Sequence, residues 1–119
     1  MAAGRPVTLY GIKNCDTVKK ARHWLDEHRV AYAFHDYRTE GIDRARLNAW
    51  VAAAGWETVL NRSSATFRAL PDAAKGGLTK AKAIALMLRE PTMIKRPVLE
   101  ADGEILVGFK PEAYETALA

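Results

Sequence analysis

Cys15 is the residue with the clearest capacity for chemistry, because it is the sole cysteine of the 119-residue chain. A single thiol has no partner for an internal disulfide, so its role is either packing or chemistry. It follows a β-favouring run, Val7 to Tyr10, and the strand-breaking Gly11, and it precedes a segment with helical spacing. A thiol at a helix start lies near unpaired amides and the positive end of the helix dipole, which favour the nucleophilic thiolate.

Charged neighbours act on this thiol in both directions. Lys13 and Lys19 add positive charge, which favours the thiolate, whereas the Asp16 carboxylate can cap the helix but opposes negative charge on the sulfur. The sequence leaves the net effect open. A lone cysteine is ordinarily a small buried hydrophobe, but a thiol between the first strand and first helix of a βαβ unit is typical of a thioredoxin-like redox site. The same turn could hold an oxyanion through its exposed amides.

The other polar residues indicate no further centre. Of the three histidines, none forms a metal-ligand spacing with Cys15, so we predict no metal and give His23, His28 and His35 no role. We expect Ser63, Ser64 and Thr66 to cap a helix or a turn rather than to bind a ligand.

A βαβ unit is predicted to position the thiol. Val18, Ala21, Trp24 and Leu25 share one helical face, which predicts a helix of about three turns from Thr17 to His28 or Arg29. The alternating segment from Val30 to Tyr37 predicts a second strand. A strand, a helix and a strand in close succession indicate a right-handed crossover between parallel strands.

The middle of the chain, from Asp43 to Pro91, is predicted to be a helical insert. One amphipathic stripe (Leu47, Trp50, Val51, Ala54) ends at Gly55, which suits a helix C-cap, and a second begins at Thr79 and stops before Pro91.

Strand character returns in the last third, where Pro97 to Leu99 and Ile105 to Val107 flank the segment from Ala101 to Glu104. Its Asp102-Gly103 step predicts a hairpin, and Pro111 to Leu118 predicts a final helix. The whole is an α/β fold of order βαβ, helical insert, ββα with a mixed sheet. We predict a single domain over residues 1–119, with the insert at about 43–91.

Composition restricts the partners. The formal charge of +4 suits anionic ligands or an acidic surface, but the basic residues are scattered and no direct nucleic-acid contact is expected. The longest apolar runs, such as Ala83 to Leu88, are too short to cross a bilayer, and Met1 to Pro6 lacks the apolar core of a secretory signal. We therefore predict a cytoplasmic protein without membrane attachment.

Several strings along the chain carry a family resemblance. They are Leu9 to Ala21 followed by Trp24-Leu25, Leu60 to Ser64, Leu88 to Pro91, Ile94 to Leu99, and Val107 to Phe109. Together they resemble the arsenate reductase family, especially its YffB-type and Spx-type branches, over nearly the whole chain.

The resemblance implies a thioredoxin-like sheet with a helical insertion and a nucleophilic cysteine at Cys15. It also implies basic residues for an oxyanion or glutathione, at Arg96 and, with the register open by one residue, at Arg62. Pro97 would be the family's cis-proline facing the thiol. The structural alternatives are that Arg96 pairs with a surface carboxylate and that Arg62 caps a helix end.

Two positions depart from the family pattern. Redox-switched Spx-type regulators carry a second cysteine where this chain has Val18, so an internal disulfide switch is impossible. The arsenate reductases place a further arginine near the last strand, where this chain has Lys110, and lysine lacks the bidentate geometry for an oxyanion. We therefore do not expect efficient arsenate reduction.

The leading hypothesis is a glutathione-dependent thiol/disulfide reductase with Cys15 as single nucleophile and glutathione as co-substrate. Glutathione or a small oxyanion would be held by residues at the helix start and by the arginines and proline, namely Lys13, Asn14, Asp16, Arg62, Arg96 and Pro97. The alternative is an Spx-type regulator that binds RNA polymerase without catalysis, through the surface around Arg44, Arg46 and Gly55.

Overall fold

Four strands and eight α-helices are present in residues 6–118, the part of the chain that this computed structural model describes. In chain order they are β1 (Val7–Gly11), α1 (Asp16–Glu27), β2 (Ala33–Asp36), α2 (Tyr37–Glu40), α3 (Arg44–Ala54), α4 (Trp56–Val59), α5 (Ala65–Arg68), α6 (Asp72–Lys75), α7 (Lys80–Arg89), β3 (Val98–Ala101), β4 (Glu104–Val107) and α8 (Pro111–Leu118), with a 3-10 turn at Pro91–Met93.

The chain divides into two compact units, which are described separately. The first combines the described residues up to Glu40 with those from Arg96 onward, and the second is Gly41–Lys95. The predicted helical insert falls within the second unit, and the single-domain organisation stays a prediction. Residues 1–5, where the sequence predicts no secretory signal, lie outside the described residues. Within residues 6–118, no helix is both long enough and apolar enough to cross a bilayer.

The first unit contains a mixed four-stranded sheet in the order β2-β1-β3-β4. β1 pairs in parallel with β2 and antiparallel with β3, and β3 pairs antiparallel with β4. The central position of β1 brings Leu9 between Phe34 and Leu99. The predicted α/β class and mixed sheet are confirmed, and the end of β1 leads directly into the turn that carries Cys15.

Helix α1 packs its predicted apolar face into the core of the first unit. Val18, Ala21 and Leu25 are fully buried, in one cluster with Leu9 and Leu99. Burial of such side chains is the main favourable contribution to packing a short helix on a sheet. The helix ends at Glu27, close to the predicted end.

The second strand is shorter than predicted. Arg29 adopts a left-handed backbone with φ of 57°, and the Val30 amide donates to the Leu25 carbonyl at 2.9 Å, closing the end of α1. Val30 therefore belongs to a helix cap rather than to the strand, and β2 begins only at Ala33. At its other end the prediction is also wrong, because Tyr37 opens α2 instead of ending the strand.

The second unit is helical, as predicted. The Asp43 side chain accepts from the Arg46 amide at the start of α3, and the helix ends at Gly55, where φ is 87°. Thr79 caps α7 in the same way. Sequence reasoning missed α4, α5 and α6, because each has four residues, too few to show a helical period.

The C-terminal hairpin has a tighter turn than the predicted segment of four residues. Asp102 and Gly103 both have positive φ, 50° and 85°, which is the conformation that a two-residue type I′ turn requires. The strands therefore extend to Ala101 and from Glu104. The final helix, Pro111–Leu118, is confirmed and buries Tyr114.

Candidate functional site

Cys15 occupies the N-cap of α1, the predicted position. Its backbone is extended, with φ of −128° and ψ of 124°, and its carbonyl accepts from the Lys19 amide at 2.9 Å. Its side chain makes no capping hydrogen bond, so it leaves the first amides of α1 to solvent or to a ligand. The thiol is free and half-buried, and it packs beside the core cluster that contains Val18 and Leu9. Cys15 is therefore only partly enclosed by the core.

The residues around the thiol form an exposed polar loop. Lys13 and Asn14 precede Cys15, Asp16 follows it, and all three are exposed. Asp16 opens α1, where a carboxylate interacts favourably with the helix dipole. A ligand at the sulfur would therefore lie near one positively charged side chain, Lys13, and one negatively charged side chain, Asp16.

Arg96 and Pro97 belong to the same unit as Cys15 and immediately precede β3. The peptide bond between them is cis, as the family resemblance predicts. Pro97 is buried and its carbonyl accepts from the Gly108 amide at 2.8 Å, while Arg96 is half-buried. β3 lies beside β1, so both residues enter the sheet next to the strand that leads to the thiol.

Tyr37 is a site residue that sequence reasoning missed. Burial raises the pKa of its phenol well above the usual range, the Arg96 guanidinium lowers it, and Cys15 and Asp36 raise it. Tyr37 is completely buried at the start of α2. The Tyr37 phenol therefore lies within the electrostatic influence of the thiol, an arginine and a carboxylate of the first unit.

Asp36 is the second missed residue, and it connects the end of β2 to the thiol loop. It is buried, its Oδ2 accepts from the Lys13 amide at 3.2 Å, and its Oδ1 accepts from the Arg38 amide at 2.9 Å. An acidic residue before a short helix is a capping pattern, which is the signal that could have identified it. Here the alternating pattern of the strand obscured that signal.

Arg62 lies in the second unit. It is exposed, and its guanidinium carbon is 5.8 Å from the centroid of the Trp56 ring. Such a contact between a cation and an aromatic ring is weakly stabilising at an exposed position. Nearby, Ser64 caps α5 by accepting from the Phe67 amide, as predicted. Thr66 instead shares a hydrogen bond with the Thr92 hydroxyl at 2.8 Å, which is not a cap.

The histidines have local partners. His23 lies 3.3 Å from Glu27, and His28 contacts the Trp24 carbonyl at 2.8 Å and stacks on the Trp24 ring. Over residues 6–118, histidine, cysteine and acidic side chains nowhere gather in a group of three that could hold a metal ion.

The sheet order and the cysteine at the start of α1 define a protein of the thioredoxin-like fold with a single thiol at its site. The chain belongs to the ArsC family, whose model matches residues 10–117. The predicted family resemblance is therefore confirmed.

Solved structures and curated relatives agree with this assignment. The chain is 65% identical to the YFFB protein with a TM-score of 0.92, over 95% of this chain and 99% of the other. It is 52% identical to an arsenate reductase (ArsC) related protein from Brucella melitensis, with a TM-score of 0.75, over 93% of this chain and 92% of the other. It is 27% identical to the global transcriptional regulator Spx of Streptococcus mutans, over 94% of this chain and 82% of the other.

Proposed function

We propose that this chain is a cytoplasmic, glutathione-dependent thiol/disulfide reductase that uses Cys15 as its single nucleophile. The observation that carries the proposal is the position of the thiol. It is the sole cysteine, half-buried at the N-cap of α1, in the same unit as Arg96 and Pro97. Such a thiol, as its thiolate, is the species that attacks disulfides.

The proposed reaction has two exchange steps. In the first, the Cys15 thiolate attacks the glutathione sulfur of a mixed disulfide, an S–S bond forms to Cys15, and the substrate thiolate leaves and takes a proton from water. In the second, a glutathione thiolate attacks that bond, releases oxidised glutathione and restores the Cys15 thiolate. In sum, the mixed disulfide and one glutathione give oxidised glutathione and the substrate thiol. The glutathione already in the mixed disulfide supplies the other half of the oxidised glutathione.

The ligand would be held by the residues around the thiol. Lys13 and Arg96 are the proposed partners of glutathione carboxylates, since Arg forms a planar fork of donors that matches a carboxylate. We assign Asn14 and Asp16 to the helix-start contacts and Pro97 to the peptide backbone of the ligand. Arg62 belongs to the second unit, and its part in binding an oxyanion or glutathione stays a prediction from the family resemblance.

Turnover with hydroxyethyl disulfide and glutathione tests the proposal. Oxidised glutathione is followed through glutathione reductase and NADPH. The protein is expected to show turnover that Cys15→Ser reduces to the uncatalysed rate, because the hydroxyl is a poor nucleophile at neutral pH. Val18→Ala is the control, because it changes the same helix but keeps the Cys15 sulfur, and it is expected to retain turnover.

Turnover by the unchanged protein that is no faster than that of folded Cys15→Ser would contradict the proposal. Circular dichroism of both proteins establishes that they are folded. Arsenate in place of the disulfide is expected to give little or no turnover, because Lys110 stands where the family's further arginine is found.

A second candidate function is regulation of transcription by binding RNA polymerase without catalysis. It is favoured by the similarity to Spx across 94% of this chain. The proposed surface is in the second unit, where Arg44 is exposed at the start of α3, with Arg46 nearby and Gly55 at the helix end.

Co-purification with RNA polymerase from a lysate tests this candidate. Retention by the unchanged protein and by Cys15→Ala, with loss in Arg44→Glu, would support a surface independent of the thiol. Absence of association in all three proteins would remove this candidate.

A further inference from the structure

Asp36 places a buried negative charge against the loop that carries the thiol. Only 9% of its surface is exposed, and both of its carboxylate oxygens are engaged by backbone amides, Oδ2 by Lys13 and Oδ1 by Arg38. Its own amide donates to Glu40 Oε2 at 3.2 Å. The carboxylate is thereby fixed in position, and it occupies the Lys13 amide of the thiol loop.

The carboxylate contacts the backbone of the loop two residues before the sulfur. Lys13 precedes Cys15 by two residues, so their Cα atoms are at most about 7 Å apart. Cys15 and Asp36 both act electrostatically on the Tyr37 phenol, and so does Arg96. Salt screens a buried charge much less than it screens the exposed side chains of Lys13 and Asp16.

We propose that Asp36 determines the substrate class of the thiol, by disfavouring multiply charged oxyanions at the sulfur and favouring electrophiles, such as disulfides, whose reacting atom is uncharged. The inference rests on the proposed reductase function for its choice of disulfides. Arg96 supplies the opposing positive charge and attracts the carboxylates of a ligand, which lie away from its reacting sulfur. Asp36 acts through its field and through Lys13, and it is therefore a specificity residue rather than a nucleophile.

Alkylation of Cys15 with two reagents that differ in charge tests this directly. Iodoacetate is an anion and iodoacetamide is neutral, and both form the same thioether and release iodide. Because one thiolate reacts with both, the ratio of the two rate constants is independent of how much of the thiol is ionised. The ratio instead measures the electrostatic potential at the sulfur.

Asp36→Asn is expected to raise the rate of iodoacetate relative to iodoacetamide by roughly threefold to tenfold. This range follows from Coulomb's law for a unit charge on the order of 8 Å away, in a medium between water and a protein surface. Asparagine can satisfy only one of the two amides, so the loop will also loosen. That structural change moves both rates together and leaves the ratio unchanged.

Two variants serve as matched controls. Asp36→Glu keeps the charge, and Asp26→Asn removes an exposed charge about 16 Å along α1 from Cys15. Both are expected to leave the ratio near that of the unchanged protein. If Asp36→Asn does not fold by circular dichroism, Asp36→Ser supplies a smaller neutral side chain for the same measurement.

An unchanged ratio in the folded neutral variant would overturn the inference, and so would an equal rise in Asp26→Asn. Alkylation needs no turnover, so the effect of Asp36 is measured even if the chain does not reduce hydroxyethyl disulfide. A changed ratio without reductase turnover would refute the proposed function while keeping the charge effect.

Discussion

At the scale of single residues, a buried tyrosine of the first unit lies within the electrostatic influence of Cys15 and of two charged side chains. Tyr37 is fully buried, and burial raises the pKa of its phenol. Arg96 lowers that pKa, whereas Cys15 and Asp36 raise it further. The phenol therefore stays protonated at physiological pH. The neutral phenol thus lies within the electrostatic influence of a guanidinium, a carboxylate and the thiol.

A second buried tyrosine has no such role and gives a stability prediction. Tyr114 packs edge-on against Trp24 and Phe109, and its hydroxyl has no hydrogen-bond partner within the described part of the chain. A buried hydroxyl without a partner costs stability, because it has lost its bonds to water. We expect Tyr114→Phe to raise the free energy of unfolding by about 1 kcal/mol in urea denaturation.

Tyr32→Phe is the matched control, since its hydroxyl does have a partner. Arg22 Nε donates to it at 3.0 Å. The same atom is removed in both variants, but this one is expected to lower the free energy of unfolding by about 0.5–1 kcal/mol. A loss of stability in Tyr114→Phe equal to that in Tyr32→Phe would contradict the explanation.

At the scale of elements, the close approach of α1 to β1 positions the thiol loop. Gly11 ends β1, and a Cβ built on it would lie 2.8 Å from Val18 Cγ2, which is closer than two carbons can pack. The small residue thus allows the helix to lie against the strand directly after the turn that holds Cys15.

Gly11→Ala is therefore expected to lower the free energy of unfolding by about 1–3 kcal/mol. Gly76→Ala is the control, because Gly76 has an ordinary φ of −83° and a Cβ there would lie 3.7 Å from the nearest atom, the Asp72 carbonyl oxygen. Denaturation of both variants, and of Gly11→Ala combined with Val18→Ala, measures the clash. If the double variant loses the full sum of the two single losses, the contact is not the cause.

Elements with a local cause were predictable from the sequence. The stripe from Val18 to Leu25 fixes the buried face of α1, and Asp102-Gly103 determines the hairpin turn. The end of α1 was harder, because Arg29 takes a left-handed backbone that glycine usually adopts. Because of that conformation, Val30 closes the end of α1 instead of beginning the strand that the sequence predicts.

The site was predictable only in part, for a related reason. Cys15 is identified by its local position between a strand and a helix. Asp36 acts through a hydrogen bond to Lys13, 23 residues earlier in the chain, and no local pattern indicates such a contact. The cis bond before Pro97 was expected from the family resemblance alone, since spacing does not distinguish the two isomers.

At the scale of the whole molecule, the order of the chain and the order of the sheet differ. β1 and β3 are neighbours in the sheet, yet the entire second unit, Gly41–Lys95, lies between them in sequence. Pairings between distant segments close long loops and form late in folding. The first unit therefore needs segments from both sides of the second unit in the sequence.

This arrangement has a consequence for biosynthesis. As the nascent chain leaves the ribosome, Cys15 emerges long before Arg96 and the strand that completes the sheet beside β1. During that interval the newly made thiol is present without the Arg96 guanidinium and without β3, so the first unit around the sulfur is complete only after residues 96–101 have been made.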